Sequence, residues 1–278
     1  MINREDIAIE VDDLSYSYPD GTLALDEVNF SLKRGESMAL LGPNGAGKST
    51  LLLHLNGLLR GAGKVRIWNK KVSEDNLRWV RGQVGMVFQD PDDQLFMSTL
   101  AEDVAFGPAN MGLPEEQVCE RVEWALQSVG LAGLSRKVPH HLSFGQRKRA
   151  AFATVLSMKP SIMVLDEPTS NLDPQSKLEM VCLIREQQRN GAAIVTATHD
   201  VNLVALLADR VLLLDKRVMA EGTVPEIMSQ RDLMDDLGLE MPIIADLFQS
   251  MKEEGLYSGA IPFKRDEAME AIRAMLRM

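Results

Sequence analysis

Cysteine is scarce in this sequence: Cys119 and Cys182 are the two among 278 residues. Such a pair builds no disulfide framework, and its spacing matches neither a metal knuckle nor a redox motif. Both are expected to be buried apolar residues of a reducing compartment. Long hydrophobic runs are missing too, since no apolar stretch approaches the roughly 18 residues that cross a bilayer. Asn3, Arg4, Glu5 and Asp6 are polar, unlike the start of a secretory signal peptide. Any work at a membrane is therefore expected of a peripheral subunit. Positive charge is in deficit: 30 Lys and Arg stand against 40 Asp and Glu, a net charge of −10. That balance excludes the basic footprint of a nucleic-acid-binding protein. Internal repeats and low-complexity tracts are lacking as well. What remains is 45% hydrophobic. That suits one large α/β domain, or a domain of roughly 200 residues with a small appendage.

The most informative stretch is GPNGAGKST, residues 42–50. An apolar run, residues 37–41, precedes it and LLLHLNGLL comes directly after, which is the order strand, glycine-rich loop, helix. The spacing G-x-x-x-x-G-K-S is that of a phosphate-binding loop. Gly42, Gly45 and Gly47 let the backbone turn tightly enough for several N–H groups to face one anion, with Pro43, Asn44 and Ala46 between them. The succeeding helix points its positive dipole end at the same place. Lys48 is placed to reach β- and γ-phosphates and the Ser49 hydroxyl to ligate Mg²⁺, with Thr50 beside them.

Around this loop the pattern is α/β. Residues 7–11 and 28–32 alternate as strands, with a turn at Pro19-Asp20-Gly21. Tyr18, just before that turn, is placed to stack on an adenine ring. Residues 51–59 read as a buried helix, in which His54 is a packed core residue. Further strands are expected at 65–67, 84–88, 162–165 and 193–197, and a closing hairpin at 211–221. Helices are expected at 114–131, at 147–158 behind a Ser143 cap, and from Pro174 to about 190. Beyond Pro225, short helical segments are broken by Gly and Pro. The last, residues 266–278, lines Ala268, Ile272, Met275 and Leu276 on one face. The 16 scattered methionines fill core gaps.

Residues downstream of the loop narrow the chemistry. Asp166 ends an apolar strand, where its carboxylate can hold Mg²⁺. Glu167, adjacent and so pointing differently, is placed to polarise a water that attacks a γ-phosphate. Gln89 and His199 also fall at strand ends, the rim where ligands collect in open α/β sheets, and both are placed to contact that phosphate. No guanine-reading Asn-Lys-x-Asp stretch is present.

With these residues in place, the sequence resembles the ATP-binding-cassette ATPase subunits over about residues 7–225. Walker A is GPNGAGKST, the Q-loop is Gln89, the signature is LSFGQ with Ser143, Gly145 and Gln146, and Walker B is IMVLDE. The D-loop is SNLD, ending in Asp173, and the switch histidine is His199. The resemblance implies a P-loop fold with a RecA-like core, an N-terminal antiparallel β portion, a helical signature subdomain at about 90–158 and a C-terminal helical appendage, 226–278. It implies ATP and Mg²⁺ as ligands, the ion held by Ser49, Gln89 and Asp166. It also implies catalysis by Glu167, His199 and Lys48. Two chains, expected to be a homodimer, would sandwich ATP head to tail, each signature and Asp173 closing the other chain's site. Phe144 replaces a common glycine and Asn171 a common alanine; an intact site is expected in both cases.

LLLHLNGLL, QDPDDQLF, EDVAFGPANMGLP and LSMKP are similar to the ATPases of energy-coupling-factor importers, most of all the cobalt and nickel group. That likeness implies docking on an integral membrane coupling protein through residues 92–97, indirect contact with a substrate-binding membrane subunit, and a peripheral place on the cytoplasmic face of the cell membrane. The alternatives are an importer for a vitamin or other micronutrient, an exporter, and a soluble cassette ATPase acting on nucleic acid or ribosomes. The acidity, and the want of a coiled-coil insertion or second cassette, disfavour the last. The tail after Pro225 is expected either to join two copies or regulate closure, or to fold back on its own cassette.

Overall fold

The computed structural model describes residues 6–276; Asn3, Arg4 and Glu5, and Arg277 and Met278 at the end of the last expected helix, lie outside the described residues. The strands are β1 (Ile7–Ser17), β2 (Leu23–Lys33), β3 (Ser37–Leu41), β4 (Ala62–Ile67), β5 (Lys70–Lys71), β6 (Val84–Val87), β7 (Ile162–Asp166), β8 (Ala193–Ala197), β9 (Arg210–Asp215) and β10 (Arg217–Thr223). They form two sheets. One is antiparallel in the order β2-β1-β4-β5, the expected N-terminal β portion. The other runs β10-β9-β3-β8-β7-β6, parallel from β9 to β6 with β10 as an antiparallel edge.

The parallel strands are covered on both faces, and their alternation shows it. In β7, Ile162 and Val164 enter the core shared with the antiparallel sheet, whereas Met163 and Leu165 enter a second core. In β3, Met38 and Leu40 join the first core, Ala39 and Leu41 a third. Continuous apolar runs are what double-sided burial of a parallel strand requires.

The helices are α1 (Lys48–Leu55), α2 (Leu77–Gln83), α3 (Leu100–Asn110), α4 (Glu115–Ser128), α5 (Phe144–Leu156), α6 (Pro174–Arg189), α7 (Val201–Leu207), α8 (Val224–Met228), α9 (Arg231–Asp236), α10 (Ile243–Glu253) and α11 (Arg265–Met275). Among them α3, α4 and α5 build the second core with Val104, Leu126 and Phe152. The tail folds back: Met228, Met234, Leu237, Ala245 and Phe263 pack with β3, β9 and α7. Ile243 and Leu247 of α10 and Ile272 of α11 stay exposed. Among the described residues no helix is long and apolar enough to cross a membrane.

Two expectations change. Helix α1 stops at Leu55 rather than near Leu59, because Asn56 caps it and turns the chain: the Asn56 side chain donates to Met86 Sδ and accepts from the Leu58 N–H at 3.1 Å. Cys119 and Cys182 are exposed, not buried. On α6 the buried residues are Met180, Val181 and Ile184, and the helical period turns Cys182 away from them. Cys119 sits at the margin of the Val122–Leu126 face of α4.

His54 is 2% exposed, as a core histidine should be. Its Nδ1–H donates to the Thr50 carbonyl at 2.7 Å. Burial pulls its pKa below the ordinary value, the backbone bond opposing it. An unfolded chain takes up this proton near pH ~6.5 while the folded chain resists, so the stability is full above that pH and is lost as pH falls through it. Replacing His54 by Gln should therefore flatten part of the decline in the urea midpoint between pH 7 and 5. Parallel declines in both proteins would contradict this.

Candidate nucleotide site

Parallel pairing brings four loops to one edge of the sheet. The order β3-β8-β7-β6 sets side by side the glycine loop after β3, His199 after β8, Asp166 and Glu167 at the end of β7, and Gln89 after β6. Thr198 N–H donates to Leu40 O at 3.2 Å and Glu167 N–H to Ala197 O at 3.0 Å, locking the three central ends together.

These ends surround a cavity of about 700 Å³. Of the residues expected from sequence, Tyr18, Asn44, Gly45, Ala46, Gly47, Lys48, Ser49, Thr50, Gln89, Asp166, Glu167 and His199 line it. Gly42 and Pro43 stand behind it and orient Lys48, whose Nζ donates to their carbonyls at 2.7 and 2.9 Å. Gly42 and Gly47 are demanded by geometry. Gly47 has φ +94° and caps α1, and a Cβ there would overlap the Ala24 carbonyl oxygen; at Gly42 one would overlap the Leu214 carbonyl. Tyr18, 37% exposed, hydrogen-bonds Thr50 Oγ1 at 2.8 Å, and its ring meets Tyr16 edge-on at 5.1 Å.

The signature and D-loop residues do not line this cavity. Ser143 caps α5: its Oγ accepts from Gln146 N–H at 3.3 Å while Gln146 Oε1 accepts from Ser143 N–H at 3.0 Å. Gly145 is not imposed by the chain's own packing, since a Cβ there would meet nothing nearer than 3.6 Å. Asp173 caps α6, accepting from the Gln175 and Ser176 N–H groups at 3.1 Å and from Ser176 Oγ at 2.6 Å, and these bonds hold its carboxyl below the usual range.

Opposite charges share the site. Asp166 and Glu167 are 6% and 7% exposed. Burial raises the Asp166 carboxyl, with a Ser49 hydrogen bond, Lys48 and Lys148 pulling the other way. Burial lowers Lys48, against the pull of Glu167 and Asp166. Glu167 Oε1 lies 2.8 Å from His199 Nδ1, so Nδ1 bears the proton and donates to the carboxylate. Asp166 Oδ1 is buried without a hydrogen-bond partner. An orphaned carboxylate oxygen beside the Ser49 hydroxyl and the Gln89 amide is an all-oxygen donor set, which fits a hard cation such as Mg²⁺.

Sequence reasoning missed two lysines. Lys216, at the tip of the β9–β10 hairpin, lines the cavity, and its N–H donates to Ala46 O at 2.9 Å. Only the long-range pairing of β9 with β3 brings it there. Lys148 is fully buried behind the site; the period that turns Ala151, Phe152 and Val155 inward turns it inward as well, a signal present in the sequence. A second hollow, about 760 Å³, opens at the other edge of the sheet between Trp68, Trp79, Trp124, Arg34 and Lys159. It has no glycine loop and no carboxylate lining, so it lacks the chemistry for a metal-bound triphosphate.

A family model described as ABC transporter covers residues 25–170, and an AAA-domain model covers residues 138–205. The energy-coupling factor transporter ATP-binding protein EcfA of Methanothermobacter thermautotrophicus is 49% identical over 251 residues, 89% of this chain and 81% of that protein. EcfA of Carboxydothermus hydrogenoformans is 44% identical over 272 residues, 97% of this chain and 99% of that one. Among solved structures, cbiO1 from Clostridium perfringens, described as part of the ABC transporter complex cbiONQ, is 42% identical with a TM-score of 0.75, covering 88% of this chain and all (100%) of that one. The dimeric cassette MJ0796, in a post-hydrolysis state bound to ADP and Pi, is 28% identical with a TM-score of 0.71, over 78% of this chain and 98% of that one.

Replacing Gly47 by Ala should cost at least about tenfold in affinity for a fluorescent ATP analogue, because the loop must shift to admit the Cβ and its N–H groups no longer converge. Unchanged affinity would show that the loop does not cradle the phosphates.

Proposed function

This chain belongs to the ABC transporter family, as an ATPase subunit of the energy-coupling factor type, and we propose that it drives import of a transition-metal ion, cobalt or nickel. The observation that carries the catalytic part is the meeting, at one sheet edge, of a phosphate cradle, two buried carboxylates, Gln89 and His199. The ion assignment rests on the QDPDDQLF, EDVAFGPANMGLP and LSMKP likenesses.

Lys48 exchanges its two loop carbonyls for β- and γ-phosphate oxygens, joined by the loop amides and the start of α1. Tyr18 stacks on adenine. Ser49, Asp166 and Gln89 would hold Mg²⁺, which would neutralise charge on the phosphate oxygens. Glu167 orients the attacking water and takes its proton. His199 Nδ1 steadies that carboxylate and presents the rest of the ring to the γ-phosphate side of the cavity.

One chain leaves its cavity open. Ser143, Gly145 and Gln146 form a partly exposed helix start whose Phe144 and Gly145 N–H groups carry no bond among the described residues, the chemistry of an anion site. A second copy, related by twofold symmetry, brings that start and Asp173 to the open face. The pair docks on an integral membrane coupling protein, and through it acts on a substrate-binding membrane subunit, from the cytoplasmic face of the cell membrane.

The docking surface is the segment after Gln89. Asp92 pairs with Arg147 Nε at 2.9 Å, and Gln94 Nε2 donates to Ala151 O and Thr154 Oγ1, fixing the segment on α5. Buried Asp103 accepts from the Phe96 and Met97 N–H groups at 3.0 Å. Phe96, 61% exposed, meets Phe106 edge-on at 5.1 Å, leaving an aromatic pair at the surface.

Replacing Glu167 by Gln should lower ATP turnover about 10²- to 10⁴-fold, the range for losing a general base, and should accumulate an ATP-bound dimer visible by light scattering. Turnover at the normal rate would remove Glu167 from that role. In cells dependent on the importer, Lys48→Ala should abolish uptake of radiolabelled cobalt or nickel; a loss confined to vitamin uptake would reassign the cargo.

A further inference from the structure

Lys148 is among the largest fully buried side chains of the described residues, and within them it makes no ion pair. Its ammonium has three protons and finds three acceptors: Gln89 O at 2.7 Å, Glu167 O at 2.8 Å and Ser170 Oγ at 3.2 Å. The acceptors lie on two stretches: Gln89 after β6, and Glu167 with Ser170 in the turn that follows β7. Lys148 itself is on α5, the helix that Ser143 caps. Burying an ammonium without a counter-ion is costly. Burial accordingly draws its pKa down to about 8, against the pull of Glu167, Asp166 and Asp90.

Glu167 explains what that cost achieves. Its φ is +46°, a left-handed conformation disfavoured for a residue with a Cβ and kept only where the surroundings over-determine it. Its N–H is tied to Ala197 O at 3.0 Å. Its carbonyl accepts from Lys148 Nζ at 2.8 Å, from Ser170 Oγ at 2.9 Å and from Ser170 N–H at 3.2 Å. Of these donors only Lys148 comes from outside the local turn.

We propose that Lys148 is a positioning residue that holds the Glu167 backbone in its left-handed turn, so that the seating of α5 sets the direction of the catalytic carboxylate. It joins Gln89 to the same point. On the dimeric reading, the α5 start that faces the second copy's nucleotide is thereby tied to the carboxylate of its own chain, linking the two sites through one side chain. The proposal rests on Glu167 being the general base.

The test is ATP turnover by the full-length chain, with its membrane partner where turnover needs it. Lys148→Met, Ser170→Ala and the double variant are compared for kcat, KM and the stoichiometry of a bound fluorescent ATP analogue. Lys148→Met is expected to bind at wild-type stoichiometry with KM within about threefold, while kcat falls at least about tenfold, since small misplacements of a catalytic group cost that much or more. Ser170→Ala should lower kcat by a smaller factor, and by less still when Lys148 is already Met, because both act on one carbonyl. Wild-type kcat in Lys148→Met overturns the proposal. So does a parallel loss of stoichiometry, KM and kcat, which marks a role in folding alone. If Lys148→Met does not fold, wild-type kcat in Ser170→Ala overturns it. Should Glu167→Gln keep full turnover, it is the general-base reading that fails; should Glu167→Gln be inactive while Lys148→Met is not, the positioning role alone fails.

Discussion

Parallel pairing of β6, β7, β8, β3 and β9 is the constraint on which the site depends. In a parallel sheet every strand points the same way, so every C-terminal loop lands on one edge. The glycine loop, the two carboxylates, Gln89 and His199 are far apart in sequence and become neighbours for that reason alone. The pairing is available because Ile162–Leu165 is apolar on both faces, Ala193–Ala197 is apolar except for the buried Thr196, and both strands are covered on both sides. Core packing and the assembly of the cavity are thus one event, not two.

That edge concentrates charge where water is scarce. Asp166 and Glu167 are nearly buried, and the charges of Lys48 and Lys148 both act on them. Among the described residues none of the four pairs with a Lys, Arg, Asp or Glu side chain, and Glu167 is met only by the His199 ring. Lys48 rests on loop carbonyls, Lys148 on Gln89, Glu167 and Ser170, and Asp166 keeps one oxygen unbonded. Such an arrangement is poor as a stabilising device and well suited to receiving a strongly charged ligand, which supplies the missing partners.

The legible parts of the sequence were those whose requirements are local. A phosphate-binding loop needs its glycines, lysine and serine within eight positions, so GPNGAGKS could be read directly. The Ser143 cap and the β7 run ending at Asp166 are local in the same sense, and both appear where they were expected. Lys216 was hidden because it reaches the cavity only through the β9–β3 pairing, which no short window contains. Lys148 was overlooked for another cause: its residue type says surface, while its helical phase says core. The cysteines failed in the converse way, with an apolar residue type trusted over a helical phase that turns Cys182 outward. End positions slipped where one side chain decides them, as when Asn56 halts α1.

Phase and type disagree at Lys148, and that disagreement bears on how one chain can be both cradle and lid. The start of α5 is dressed as an anion site yet does not line its own cavity. Two surfaces of one helix therefore face different destinations: its first turn looks outward, and its next turn, through Lys148, reaches Gln89 and Glu167. An α-helix is stiff over a single turn, since its backbone bonds close every four residues. On the positioning role proposed for Lys148, a push on Ser143 and Gly145 from outside would be carried to the Glu167 carbonyl with little room to be absorbed. A flexible loop in the same place would decouple the two, which is a physical reason for the signature to open a helix instead of ending a loop.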